Sequence, residues 1–160
     1  MKISPEMAKV YETARNGKNE TLICKVSSGF LLMGFQQFLP GYVILFADPM
    51  VGSLNDLNDK GRVQFLTNMA MIGDVLLSVT SAERINYEIL GNASPILHCH
   101  MFPRYPSEAK SYKNGPVWRY PKDIFNGVMF DNNRVDHIEL KQRIKKGIES
   151  RMSSVDERVD

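Results

Sequence analysis

The run Ile96-Leu97-His98-Cys99-His100-Met101-Phe102 decides how this chain is read. An extended strand sends alternate side chains to opposite faces, so Ile96, His98, His100 and Phe102 share one face. Leu97, Cys99 and Met101 take the other, the natural core face. Two strand rises separate the histidine Cα atoms by roughly 6.5–7 Å, near enough for both rings to act on one ligand. The loop ahead of the strand supplies Gly91, Asn92 and Ser94, and Arg104 follows it. Glycine permits close backbone approach, amide and hydroxyl groups bond to oxygen-rich ligands, and a guanidinium is a fixed fork for phosphate. Two imidazoles among such groups point to phosphorus chemistry.

Working outward, the segment ahead of this loop, Arg84–Leu90, reads as a strand, and Gly91–Pro95 joins the two. Further upstream, Asn58–Val79 is the strongest helix, with Asn58 as N-cap and Val63, Leu66, Ala70, Gly73 and Leu77 at the spacing of one apolar stripe. Before it come three β-type runs, Leu22–Val26, Phe30–Phe35 and Tyr42–Ala47, separated by Ser27-Ser28-Gly29 and Pro40-Gly41. Connections this short imply antiparallel pairing. Pro5–Arg15 spaces Met7, Val10, Tyr11 and Ala14 as a helix, stopped by Gly17. The order predicts an α+β domain, an antiparallel five-stranded sheet with one long helix packed on it. After Pro103 the chain turns loop-like through Pro121, with its only tryptophan, Trp118, and then forms a basic amphipathic helix over Asp136–Met152 with Leu140, Ile144 and Ile148 on one stripe. The reading is therefore 1–105 as the catalytic part and 106–160 as a C-terminal extension of the same domain, the last eight residues frayed.

Composition sets the limits. A chain of 160 residues with 43% apolar and 24% charged residues builds an ordinary globular core, and disorder is excluded. A net charge of +2 gives no ground for a nucleic-acid partner, and the longest apolar runs are strand-length, so no membrane partner is expected. With two cysteines in no ligand or disulfide spacing and no export signal, a cytoplasmic location is expected.

The stretch from Ile85 through Leu90-Gly91-Asn92-Ala93-Ser94-Pro95 to Pro103-Arg104, together with Pro116-Val117-Trp118, resembles the signature of the histidine triad (HIT) family, in a bacterial branch. Upstream, Pro40-Gly41-Tyr42 resembles the family's strand entry, where a histidine often follows, and Ser53–Leu57 also resembles the family pattern. The similarity spans about residues 20–120. It implies a HIT-like fold, usually a homodimer, acting as a nucleotide hydrolase or transferase. It assigns the nucleophile to His98 and phosphate support to His100, with Asn92 at the phosphate. It places base and ribose near the first strands, making Phe30, Leu32 and Phe35 candidate lining residues. Ile96 stands where the family has its first histidine, so that histidine's orienting role is expected to be absent.

The implied reaction is attack of His98 on the α-phosphorus of a dinucleoside polyphosphate or nucleoside phosphoramidate. A covalent nucleotidyl-histidine forms, and water releases the nucleoside monophosphate. An imidazole suits this near neutral pH, with its other ring nitrogen expected to bond a backbone carbonyl that fixes the tautomer, and no metal is required, although Mg²⁺ can accompany the substrate as a counter-ion. Two other readings stand beside it: a nucleotide binder or sensor with catalysis lost through Ile96, and a metal-dependent enzyme using His98, His100 and a carboxylate. His137 is read as a surface or capping residue, Cys99 as core, Trp118 as a packing anchor, and Lys141, Arg143, Lys145 and Lys146 as a solvated helix face.

Overall fold

The structure is a computed structural model and describes residues 3–156. Helix α1, Pro5–Arg15, starts where Ser4 accepts a hydrogen bond from the Met7 N–H. Strands β1 (Leu22–Val26), β2 (Gly29–Met33) and β3 (Val43–Ala47) lead into helix α2 (Asp59–Val79), capped as expected by Asn58. Strands β4 (Arg84–Glu88) and β5 (His98–Arg104) follow, then the short helices α3 (Lys110–Lys113) and α4 (Lys122–Phe125) and the long α5 (Val135–Asp156). The five strands form one antiparallel sheet in the order β1-β2-β3-β5-β4. No helix among the described residues is long and apolar enough to cross a membrane.

Alternation along β2, β3 and β5 divides the core between two faces. Leu31, Met33, Val43, Leu45, Leu97, Cys99 and Met101 meet α2 and α5 on one. Phe30, Leu32, Ile44, Phe46, Ile96 and Phe102 pack on the other with Tyr11 and Ala14 of α1 and with Val117. The face that carries the histidines is thus covered as well, which explains why β2 and β3 are buried at every position.

The stripe expected on α2 is rotated. Phe65, Asn68, Ile72, Gly73, Val75 and Leu76 are buried, whereas Val63 is 64% exposed and Leu66 and Leu77 also face outward. Both sets have helical spacing; the larger Phe65, Ile72 and Leu76 side chains decide which one turns inward. Gly73 alone belongs to both, because the Tyr87 hydroxyl of β4 lies where a Cβ would stand, at 1.8 Å. On α5 the stripe falls as read, with Ile144 and Ile148 fully buried. Gly147 brings α5 close to α2, since a Cβ there would sit 2.6 Å from Val75. Helix α5 runs to Asp156, beyond the expected Met152, and the rest of the expected frayed end lies outside the described residues.

Strand β2 stops two residues short of Phe35 because Gln37 intervenes. Its buried amide donates to the Gly34 and Tyr42 carbonyls and accepts from the Gly41 N–H, closing the 34–42 loop. Strand β5 begins at His98 rather than Ile96. The Ile96 and Leu97 N–H groups donate instead to the Ser94 and Val51 carbonyls; Leu97 still accepts from the Ala47 N–H of β3, while the Ile96 carbonyl turns to the site.

Candidate active site

Sheet register builds the site in cross-strand rows. Phe30 of β2 faces Phe46 of β3, which faces His98 of β5. In the next row Leu32, Ile44, His100 and Glu88 follow one another across four strands. The rings stack along these rows: Phe46 lies on His98 with centroids 5.4 Å apart and Phe30 lies behind Phe46 at 5.8 Å. Trp118 meets His100 edge-on at 6.0 Å.

The imidazoles are held by three short contacts. Nδ1 of His98 is 2.6 Å from the Ile96 carbonyl oxygen, Nε2 of His98 is 3.1 Å from Nε2 of His100, and Nδ1 of His100 is 2.6 Å from the Tyr42 hydroxyl. A carbonyl only accepts, so Nδ1 of His98 carries its proton and Nε2 of the neutral ring keeps a bare lone pair. The side chain of Ile96 is buried in the core while its backbone oxygen orients the nucleophile candidate. A main-chain oxygen thus fixes the tautomer of His98 whatever side chain stands at position 96. Burial, reinforced by the neighbouring His98, lowers the His100 pKa to about 4, so His100 is neutral at pH 7. Burial also pushes the Tyr42 phenol up, with the Glu88 carboxyl and Cys99 adding to it.

His98 borders a cavity of about 510 Å³ between the loop 52–55 and the loop 89–92, floored by residues 95–98. Gly91, with φ +116°, and Asn92 line it, and Ser53 and Asn55, which the sequence reading did not select, line it as well. None of the twelve lining residues is Asp, Glu, Lys or Arg.

The other expected ligand contacts are not brought here. Phe30 and Leu32 are sealed in the core beneath Tyr11 and support the histidine row from behind. Phe35 lies past the end of β2, 40% exposed, and does not border the cavity. Ser94 contributes a turn carbonyl to the Ile96 N–H. Arg104 is no free phosphate fork: it is 3% exposed and its guanidinium bonds Glu108, Asn86 and the carbonyls of Tyr112, Lys113 and Gly115. An acidic partner four residues on, in a loop folding back over the strand, claimed the arginine that its place beside the motif had suggested for ligand.

Further residues depart from or fill out the reading. His137 is buried, stacks on Phe130 and accepts the Asp131 N–H. Lys141 and Arg143 are not merely solvated, since they donate to the carbonyls of Glu20 and Val79. Glu88 escaped notice in the sequence. Its register opposite His100 puts it on the same face, its Oε2 is buried without a hydrogen-bond partner, and burial raises its pKa against the opposing pull of Trp118 and Arg104. Alternation within Arg84–Glu88 carried that signal, once the pairing with β5 was known. Among the described residues no three His, Cys, Asp or Glu side chains group as metal ligands.

Known structures share this architecture. A histidine triad protein from Marinobacter aquaeolei VT8 superposes with a TM-score of 0.67 at 19% identity, covering 81% of this chain and 88% of that one. A histidine triad protein from Sinorhizobium meliloti 1021 gives 0.67 at 20%, covering 83% and 93%. A hypothetical histidine triad nucleotide-binding protein from Sulfolobus tokodaii gives 0.65 at 10%, covering 88% and 91%. No family model and no curated protein matches the chain. The chain has the α+β fold of the histidine triad proteins.

Proposed function

We propose that the protein is a histidine triad enzyme that binds a nucleotide and transfers its nucleotidyl group to water through His98. The observation that carries this is the His98 ring, which lines a cavity of ligand size and whose Nδ1–H is held by the Ile96 carbonyl, leaving Nε2 as the unprotonated nitrogen. In the proposed step the Nε2 lone pair forms a bond to the α-phosphorus while the bond to the leaving group breaks. The leaving group departs with that electron pair and takes a proton from water. The His100 N–H, released from the consumed lone pair, turns to a phosphoryl oxygen, and Asn92 supports another. A second water attacks the nucleotidyl-histidine, loses its proton to solvent and restores the neutral ring with release of nucleoside monophosphate.

Of the two substrate classes, the lining favours the phosphoramidate. A polyphosphate leaving group brings several negative charges to walls that offer amides, a hydroxyl and no cation, so it needs Mg²⁺ as its counter-ion. An amine leaving group has no such requirement. The alternative reading is a nucleotide sensor, favoured by the 6% exposure of His98 and the engagement of its Nε2 by His100. A homodimer belongs to the same proposal. Strand β4 is a sheet edge, and the outward Val63, Leu66 and Leu77 of α2 beside it suit a second copy of the chain.

The test is AMP release from an adenosine phosphoramidate and from diadenosine tetraphosphate, each in EDTA and in Mg²⁺, with His98→Ala in parallel. AMP formation in EDTA from the phosphoramidate, abolished in the variant, is expected. Stoichiometric binding of both substrates without turnover would establish the sensor instead, and metal-dependent turnover of the phosphoramidate that persists in His98→Ala would overturn histidine catalysis.

A further inference from the structure

We infer that Tyr42 is the positioning residue of the histidine pair: its hydroxyl fixes His100 as the Nε2–H tautomer and thereby keeps Nε2 of His98 the bare nitrogen. The inference rests on the reading of His98 as nucleophile, but the hydrogen-bond geometry behind it stands on its own.

Two neutral imidazoles facing each other through their Nε2 atoms at 3.1 Å need one proton between them. With none, two lone pairs oppose each other; with two, two N–H groups collide. The Ile96 carbonyl already fixes the proton of His98 on Nδ1, so His100 must supply the shared one. That leaves Nδ1 of His100 bare, inside the covered face, where an unpaired acceptor is unfavourable and the opposite tautomer competes. The Tyr42 hydroxyl at 2.6 Å donates to this atom and removes the competition. The chain of donors then runs one way, from Tyr42 to His100 to His98 to the Ile96 carbonyl.

Two independent features show that the fold is shaped around this phenol. Its ring is clamped on Phe102, centroids 4.1 Å apart and 16° from parallel. Opposite, residue 34 is glycine, and a Cβ there would lie 2.2 Å from the Tyr42 ring. The groups facing the pair are His98 on the same strand, Glu88 on β4, Tyr42 on β3 and the uncharged Trp118 above. Only Glu88 could compete for the proton, and its buried Oε2 bonds neither ring. Because a buried phenol stays protonated across the working pH range, the donor end of the chain does not titrate.

The test is Tyr42→Phe, which keeps the ring and its stacking, with Tyr11→Phe as control for loss of a buried hydroxyl elsewhere; the Tyr11 hydroxyl bonds the Ala47 carbonyl and Asp48 and neither histidine. Histidine-labelled protein is read by long-range ¹⁵N–¹H correlation at pH 7, and turnover of an adenosine phosphoramidate is measured in the same samples. Wild type and Tyr11→Phe are expected to show His100 with bare Nδ1 and protonated Nε2. In Tyr42→Phe, His100 is expected to become a tautomer mixture and kcat to fall about 10- to 100-fold with KM within a few-fold. An unchanged His100 tautomer in Tyr42→Phe, or a changed tautomer with unchanged kcat, overturns the assignment. Absence of turnover in wild type sinks the enzymatic reading, while the spectra still decide whether Tyr42 sets the tautomers.

Discussion

Replacing Arg104 by methionine separates a structural arginine from a phosphate-binding one. The guanidinium holds the loop after β5 through Glu108, with Nε to Oε2 at 3.0 Å and Nη2 to Oε2 at 2.9 Å, and through the carbonyls of Tyr112, Lys113 and Gly115. Both side chains of the ion pair are 4% exposed. Methionine keeps the apolar stem and removes every one of these donors. Glu108 is then left with the Tyr120 hydroxyl and the Tyr105 N–H, each at 2.6 Å, and no counter-charge. Breaking one member of a buried ion pair costs about 3–5 kcal/mol, against a total stability of roughly 5–15 kcal/mol. At about 2–4 °C per kcal/mol for a chain of this size, Tm is expected to fall by roughly 6–20 °C. Trp118, the only tryptophan, stands in the loop beyond Gly115, so its fluorescence in a urea titration reports the release directly, with circular dichroism following the sheet. The double variant Arg104→Met/Glu108→Leu is expected to recover only the part owed to the uncompensated Glu108 charge, because the carbonyls of Tyr112, Lys113 and Gly115 stay without their donor. A single variant with Tm unchanged and nucleotide affinity reduced tenfold or more would refute the clamp and return Arg104 to the ligand.

Two further outcomes follow from the same geometry. Acid is expected to destabilise the protein in two stages: His100, whose folded pKa is lowered, favours the unfolded chain as pH falls from about 6.5 to about 4, and Glu108 adds its loss below that. For Glu108, burial raises the pKa but the bonds from Arg104, Tyr120 and Tyr105 outweigh it, so its contribution is present above the unfolded carboxylate value and vanishes as pH drops through the lower folded one. Urea midpoints against pH, with His100→Asn flattening only the upper stage, check the assignment; a flat profile between pH 6.5 and 4 in wild type contradicts it. Glu88→Gln is expected to stabilise by about 1 kcal/mol at pH 8, with the gain shrinking toward pH 4, because the raised carboxyl pKa makes folding less favourable as pH rises through it. A variant less stable than wild type at pH 8 would show that the buried oxygen has a partner in solution.

How much of this was legible depended on whether a residue's role is set locally. Strand alternation alone assigns Leu97, Cys99 and Met101 to one face and the two histidines to the other, and capping chemistry fixes the start of α2 at Asn58. The stripe of α2 was misread because a helix with apolar residues on several sides satisfies the same spacing in more than one rotation. Phe30 and Leu32 were assigned to the ligand because alternation puts them on the histidine face. That face is itself roofed by α1, and a roof is a tertiary fact. Arg104 is engaged elsewhere for the same reason, its partner Glu108 lying in a loop whose path no periodicity describes.

The position of Ile96 shows which kind of information a side-chain motif leaves out. Losing a histidine from the run removes a side-chain donor and acceptor, since an alkyl group makes no hydrogen bond. Yet the bond that orients His98 comes from the residue 96 carbonyl, and every amino acid brings one, provided the strand starts late enough to release it. At Tyr42, too, an imidazole is not required, because the bare nitrogen of His100 needs only a donor that stays protonated. The reactive tautomer of His98 therefore depends on one main-chain oxygen and one phenol. Substituting the Ile96 side chain by valine should leave it in place, whereas any change that draws residue 96 into the β5 ladder should not.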